Sequence, residues 1–280
     1  MYAKCGMLTR ARRVLKELPM RDVFSWSAMI AGYSNHGQAY EALNCFKAMQ
    51  TEGLSPNSVT FICILKACSS IGSIAMRREI HMEIVNRGFL IKDIMVGTAL
   101  VDMYAKDGIL EKAQEVFDQL PVRDVVSWST LISGYSQEGR VHQVINFFEQ
   151  MQYEGLSPDA ITFICILKAC GSEMVLDKGK QIHRVSKGLL MKHTVLGNAL
   201  VDMYVKCGVL PKAHQVFEEL VIRDIVTWNS LISGYAQQGQ FDKAVNCLEG
   251  MLMEGLSPNT VTFICVLKAC ANTGAVDKGK

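Results

Sequence analysis

RDVVSWSTLISGYSQEGRVHQVINFFEQMQYEGLSPDAITFICILKAC, residues 123–170, occurs in three closely similar copies in this chain. The copies open with RDVFSW at Arg21, RDVVSW at Arg123 and RDIVTW at Arg223. EGLSP ends at Pro56, Pro158 and Pro258, and TFICILKAC or TFICVLKAC runs from Thr60, Thr162 and Thr262. The spacing is 102 residues for the first cycle and 100 for the second; the lost pair falls in a loop region where MEIVNRGFLI (82–91) becomes RVSKGLLM (184–191). A fixed internal period marks a stacked-repeat architecture and decides the fold before any local signal does.

Each cycle divides into three related units. Val23–Asn57, Val125–Asp159 and Ile225–Asn259 are 35 residues each; Ser58–Asp93 and Ala160–His193 are 36 and 34; Ile94–Asp124 and Thr194–Asp224 are 31. Every unit reads as two helices. SWSTLISGYSQ is a short first helix ending near Gly139, and Val141, Val144, Phe147, Phe148 and Met151 form an apolar stripe at helical spacing on the second. Ala39, Ala42, Leu43, Phe46 and Met49 repeat that stripe, as do Leu110, Ala113, Val116, Phe117 and Leu120 in a 31-residue unit. Gly155 suits a left-handed helix stop, Pro158 prevents continuation, and Pro211 suits a helix start. One such hairpin cannot bury its apolar surface alone, so neighbours must stack.

Composition excludes several classes. Of 280 residues 49% are hydrophobic and 20% charged, which argues against disorder, and no apolar run approaches the roughly 18 residues of a membrane span. A net charge of +2 lacks the basic excess of a duplex-DNA binder but is compatible with single-strand readers that use stacking and hydrogen bonds. The ten cysteines recur at equivalent places (Cys63 and Cys68, Cys165 and Cys170, Cys265 and Cys270, Cys5 with Cys207, Cys45 with Cys247), which predicts small buried packing residues in a reducing compartment rather than disulfides. Met1 aligns with Met103 and Met203, and the closing DKGK matches Asp177–Lys180. The sequence therefore reads as part of a longer protein, with any targeting segment expected outside it.

The alternation of 35, about 35 and 31 residues, with GNALVDMYVKCG, SWSTLISGY, EGLSP and KGKQIH, resembles the plant pentatricopeptide repeat proteins of the PLS subclass over essentially the whole chain. The resemblance implies an all-α fold, a right-handed superhelical solenoid of helix-turn-helix repeats with one concave face. It divides residues 1–280 into a partial S repeat (1–22), P (23–57), L (58–93), S (94–124), P (125–159), L (160–193), S (194–224), P (225–259) and a partial L repeat (260–280). It also implies binding of single-stranded RNA with two or three side chains of each repeat reading one base.

In that family the fifth residue of the first helix and the last residue of the repeat address the base edge, and an apolar second residue packs on the base. Carried over, the reading pairs are Ser27 with Asn57 (adenine), Thr98 with Asp124 (guanine), Ser129 with Asp159 (guanine), Asn198 with Asp224 (uracil) and Asn229 with Asn259 (a pyrimidine). The stacking residues are Phe24, Met95, Val126, Val195 and Val226. Ile62, Ile164 and Ile264 occupy the fifth position of the L repeats and cannot hydrogen-bond, so those bases stay open and the expected target is 5′-A-n-G-G-n-U-Y-3′. The fifth residue varies between copies while its neighbours hardly change, as expected of a reader and not of scaffold. The same polar residues could instead serve as helix caps, Asp124 and Asp224 above all. Lys106 and Lys206, two turns along the same helices, could reach phosphates or be ordinary solvated lysines.

No catalytic constellation is expected. His81-Met82-Glu83 spells the H-x-E of zinc deaminases, but the second copy reads His183-Arg184-Val185 and no P-C-x-x-C occurs. Metal, cofactor, membrane and small-molecule substrate are therefore not expected, and Trp26, Trp128 and Trp228 read as core. The resemblance implies a mitochondrial or chloroplast recognition module, commonly for cytidine-to-uridine editing, with a deaminase domain or editing cofactor outside this chain. The competing expectation is a tetratricopeptide-like protein-interaction scaffold using the same face.

Overall fold

The computed structural model describes residues 2–190 and 193–273, side chains of 190 and 271–273 excepted. Met1, Met191 and the DKGK of 277–280, all used above to align the cycles, lie outside the described residues. The described residues form seventeen helices and no strand, as the all-α reading expects. They fall into two compact units, Met1–Gly134 and Tyr135–Lys280.

The first unit holds α1 (Leu8–Glu17), α2 (Val23–Asn35), α3 (Ala39–Thr51), α4 (Ser58–Ile71), α5 (Ile74–Asn86), the one-turn α6 (Phe89–Lys92), α7 (Ile94–Lys106), α8 (Leu110–Asp118) and most of α9 (Val125–Gln137). Here α2 packs on α4 and α4 on α7, while α3, α5 and α8 fold back on α2, α4 and α7. The second unit holds α10 (Val141–Tyr153), α11 (Ala160–Ser172), α12 (Leu176–Leu190), α13 (Thr194–Lys206), α14 (Leu210–Glu219), α15 (Ile225–Gln237), α16 (Phe241–Met253) and α17 (Thr260–Thr273). Here α11 packs on α13, α13 on α15 and α15 on α17, with α12, α14 and α16 returning as second helices.

The apolar stripes read from the sequence form the core: all fifteen residues of the three stripes named above are buried. Burying a phenylalanine such as Phe148 or Phe117 contributes roughly 2–3 kcal/mol, enough repeated over each unit to hold hairpins that would not stand alone. Gly155 has φ 77°, a left-handed stop only glycine adopts without strain, and Pro211 lies in the first turn of α14. Trp26, Trp128 and Trp228 are buried. Trp26 Nε1 donates to Glu52 at 2.8 Å and Trp228 Nε1 to Glu254 at 3.0 Å, while Trp128 and Trp228 meet Phe117 and Phe217 edge-on. These rings are scaffold.

Two expectations need correction. The lost residue pair does not fall in a loop: in the first cycle α5 ends at Asn86 and Gly88, with φ 74°, turns the chain into α6, whereas α12 runs unbroken from Leu176 to Leu190. No cysteine is in a disulfide, but only seven are buried; Cys5 is exposed, and Cys63 and Cys207 are half-buried. Cys207 rests on the Cys170 carbonyl of the preceding first helix, 3.9 Å away, and no described helix precedes Cys5 to do the same. Burial pushes Cys68 up to about 12 and Cys45 to about 11, which makes these thiols unreactive near neutrality.

One contact belongs to the first cycle alone. Arg77 Nε lies 2.8 Å from Asp107 Oδ2, with side chains only 7% and 11% exposed. Neither atom is aligned for a hydrogen bond to any described group. Burial raises the Asp107 carboxyl against the opposing pull of Arg77. The positions equivalent to these two in the second cycle are Gly179, where an added Cβ would sit 2.6 Å from Met203 Sδ, and Cys207. A tight apolar packing has thus been exchanged for a buried ion pair. Such a pair adds little net stability while its loss on one side leaves an uncompensated charge. In urea titrations Asp107→Ala is expected to cost about 3 kcal/mol, and adding Arg77→Met to recover most of it; equal stability of the single and double variants would refute this account.

His81 Nδ1 lies 2.8 Å from the Tyr104 hydroxyl and His183 Nδ1 3.0 Å from that of Tyr204. Burial, the leading cause, holds both imidazoles below their ordinary value. Between the folded and unfolded values the unfolded chain binds more protons, so stability falls as pH drops below about 6.5. Melting temperature is expected to fall more steeply from about pH 7 to about pH 5.5 in the native chain than in a His81→Gln, His183→Gln variant, a slope readable by calorimetry.

Candidate nucleic-acid interface

The first helices begin on a shared chemical motif. Asp22, Asn57, Asp124, Asp159, Asp224 and Asn259 each accept the backbone N–H three residues on, at 2.8–3.0 Å. That third residue is Ser25, Thr60, Ser127, Thr162, Thr227 or Thr262, and in five of the six its hydroxyl faces the N–H of the capping residue, closing a reciprocal box. Asp93 caps α7 through the Met95 N–H, and His193 makes no capping bond. The expected readers Asn57, Asp124, Asp159, Asp224 and Asn259 are therefore helix caps as well, each worth about 1 kcal/mol.

Capping does not use up these side chains, and three of the expected pairs are joined directly. Asn198 Nδ2 donates to Asp224 Oδ1 and Oδ2 at 3.1 and 3.0 Å, and the Thr227 hydroxyl lies 2.5 Å from Asn198 Oδ1. Asn229 Nδ2 donates to Asn259 Oδ1 at 3.2 Å, with the Thr262 hydroxyl 2.6 Å from Asn229 Oδ1. Ser27 Oγ lies 3.4 Å from Asn57 Oδ1 and 2.6 Å from the Thr60 hydroxyl. Each of these three junctions is a tripod of fifth residue, repeat-final residue and capping-box hydroxyl. Thr98 and Asp124 share no such bond, and Thr98 is half-buried. Ser129 and Asp159 lie in different units; Ser129 bonds the Val126 carbonyl at 3.1 Å, and Asp159 caps α11.

Asp224 shows what the tripod does electrically. Partial burial would raise its carboxyl, but bonds from the Thr227 and Val226 backbone, Asn198 and Thr227 outweigh it and hold the group below the ordinary value. It stays a carboxylate, fixed in orientation, at any physiological pH.

The expected stacking residues stand clear of the core. Phe24, Met95, Val126, Val195 and Val226 are 53–75% exposed, one turn before the fifth residue on the same helix. The equivalents in the L units, Val59, Ile161 and Val261, are likewise exposed, and Ile264 with them, while Ile62 and Ile164 are half-buried. Apolar side chains held in water at one repeated position are not explained by packing. Lys106 and Lys206 are exposed but each is paired with an aspartate one turn back, Asp102 at 2.6 Å and Asp202 at 2.7 Å.

The residues missed in the sequence are the capping-box hydroxyls. Thr60, Ser127, Thr162, Thr227 and Thr262 are fully buried, and Thr60, Thr227 and Thr262 also reach the fifth residue of the preceding unit. Their signal was present as Asp or Asn followed three residues on by Ser or Thr. Among the described residues no cluster of His, Cys, Asp and Glu could hold a metal, and no helix is long and apolar enough to cross a membrane. The H-x-E of His81 and Glu83 is taken up by Tyr104 on one side, Gln50 and Arg87 on the other.

Comparison with known proteins places the family and the fold. The model of the PPR repeat family matches residues 21–70, 123–172 and 223–272, and that of the PPR repeat matches 98–125 and 198–225. A pentatricopeptide repeat-containing protein of Arabidopsis thaliana is 38% identical over 284 residues, covering 100% of this chain and 38% of its own length. A chloroplastic one from the same plant is 34% identical (100% and 32% covered), and a putative mitochondrial one 37% identical (99% and 44%). The chain thus spans less than half the length of these relatives. Among solved structures, the pentatricopeptide repeat protein PPR10 from maize superposes with TM-score 0.80 at 21% identity over 99% of this chain and 41% of its own. PPR10 in complex with an 18-nt psaJ RNA element gives TM-score 0.60 at 20% identity over 97% and 46%. These matches identify the fold as the PPR10 solenoid.

Thr227→Val keeps side-chain volume but removes the hydroxyl that ties Asn198 and Asp224. Stability is expected to fall by about 1–2 kcal/mol in urea titrations with helix content unchanged; an unaltered midpoint would show the tripod to be incidental.

Proposed function

The chain belongs to the pentatricopeptide repeat family, and on that premise we propose that it binds single-stranded RNA one base per repeat, as the recognition module of a longer protein. The observation carrying this reading is the recurrence on the first helices of a water-exposed apolar side chain one turn before the fifth residue, which at three junctions is a polar residue bonded to a capping residue. An apolar side chain offers any base a face to stack on, and a fixed donor or acceptor beside it discriminates the edge. Preorganisation by the cap lowers the entropy lost when the base arrives.

On this reading Ser27 with Asn57, Thr98 with Asp124, Ser129 with Asp159, Asn198 with Asp224 and Asn229 with Asn259 read bases, and Phe24, Met95, Val126, Val195 and Val226 pack on them. Their expected target is 5′-A-n-G-G-n-U-Y-3′. Lys106 and Lys206 contribute to phosphate contact only by exchanging their aspartates for the strand. The RNA held by PPR10 in its solved complex supports the partner class. The mitochondrial and chloroplastic names among the relatives support an organellar location. The three-fold alternation of unit lengths supports the PLS subclass, and with it a part in site recognition for cytidine-to-uridine editing, the chemistry residing in a deaminase domain or cofactor outside this chain.

Binding of the purified chain to 5′-AnGGnUY-3′ is expected to exceed binding to the same RNA with both guanines replaced by adenine. At about 1–3 kcal/mol for each base, the preference is at least tenfold. Asp159→Asn recreates the Ser–Asn pair of Ser27 and Asn57 with the cap retained, and should move preference at that position to adenine. Equal, weak binding to both RNAs would instead favour a peptide-binding scaffold.

A further inference from the structure

A second charged site lies in the second unit, away from the base-reading face. Helices α12 and α14, both second helices, enclose with α13 a cleft of about 300 Å³. Its floor is the edge-on pair of His183 and the buried Tyr204, rings 5.7 Å apart. Its walls carry Lys180, Arg184, Lys187 and Lys212 against a single carboxylate, Glu219. Tyr204 is six residues from Asn198 on α13, about 120° around the helix from it, so the cleft and the reading pair occupy different faces.

The cations are not neutralised from within. Arg184 and Lys187 have no acidic partner among the described residues, and Lys212 donates to the neutral Gln215 at 2.7 Å. Gln215 in turn donates to Glu219 at 2.9 Å, which turns that carboxylate toward an amide. Lys180 has only the nearly fully exposed Asp177, 3.3 Å away. Charges so close repel unless an anion sits between them.

The first cycle supplies a natural control. Buried Ile80 and Ile84 of α5 and buried Ile182 and Ser186 of α12 fix the helical register between the two cycles. In that register Met82 and Val85 stand where the second cycle has Arg184 and Lys187, and Glu115 stands for Gln215. Glu115 forms an ion pair with Lys112, the equivalent of Lys212, and Arg87, the next cation along, is taken by Glu83 at 2.9 Å. The scaffold therefore does not need the two added cations: the same His–Tyr floor exists at His81 and Tyr104 with Arg78 and Lys112 in place but Met82 and Val85 where Arg184 and Lys187 stand. The acid lost at Gln215 is offset by Glu219, which stands where the first cycle has Gln119, so Arg184 and Lys187 leave the cleft two positive charges richer.

We propose that the cleft of Lys180, Arg184, Lys187 and Lys212 binds a phosphate group. The guanidinium supplies a planar fork, the ammonium groups supply point charges, and a phosphate fits the volume. The group comes either from a phosphodiester of an RNA strand continuing past the read bases or from a free phosphate.

The test compares the native chain with Arg184→Met, Lys187→Val, the residues that the first cycle itself tolerates. In thermal unfolding with inorganic phosphate against chloride at matched ionic strength, phosphate is expected to raise the melting temperature of the native chain and to do so at most half as much in the variant. In a second arm, a target RNA lengthened by about ten unrelated nucleotides is compared with the short target. If the RNA strand is the source, the extension strengthens binding several-fold in the native chain only, and the salt slope for the extended RNA drops by about 1.4 in the variant, two contacts at roughly 0.7 each. If free phosphate is the source, protection differs between the two proteins but extension has no effect. Equal phosphate protection together with equal response to the extension overturns the proposal. The short target is expected to bind both proteins alike, and the phosphate arm uses no RNA, so a failure of the base code is read separately.

Discussion

The bond between a helix-capping carboxylate or amide and the hydroxyl three residues into the helix carries more of this structure than its size suggests. At Asp224 and Thr227 it ends one hairpin, starts the next helix and, through Asn198, ties that start to the preceding first helix. A cap taken alone is worth about 1 kcal/mol. Placed at a repeat junction, it bonds one first helix to the start of the next, and those helices present the exposed Val195 and Val226. Packing of the stripes supplies the larger energy but is nondirectional. The polar junction gives that packing its register.

The capping positions expected to read bases therefore have structural work of their own. Asp159 and Asn57 do the same structural work on α11 and α4, accepting from Thr162 and Thr60. Asp and Asn are near-equal caps, so one can replace the other with little loss of stability. They differ in what they offer a partner: a carboxylate only accepts, and an amide can also donate. The fold thus leaves open a choice that matters to a ligand.

The helices, their stripes and their stops were legible because each rests on local periodicity: Phe147 and Phe148 on a stripe, Gly155 at a left-handed stop, Pro211 at a helix start. Phe24, Met95, Val126, Val195 and Val226 came to notice through the resemblance, and all five are exposed. The tripods were not, because they join residues about 30 apart, such as Asn198 with Thr227. The broken α5–α6 turn was hidden for another reason: a two-residue difference shows its length but not whether helix or loop absorbs it. Cys5 failed the burial expectation because cover comes from a neighbouring helix and not from the residue's own motif.

Near-identical cycles in one chain carry a hazard during folding, since a helix from one copy can dock where its twin belongs. Arg77 and Asp107 raise the cost of that exchange. An α5 docked beside Cys207 in place of Asp107 would bury a guanidinium without a counterion, and an α7 docked beside Gly179 would strand a carboxylate. Either mistake costs several kcal/mol, comparable to a good part of a domain's net stability. A contact that adds little to the finished molecule can still act as a key, fitting one lock among several that look alike.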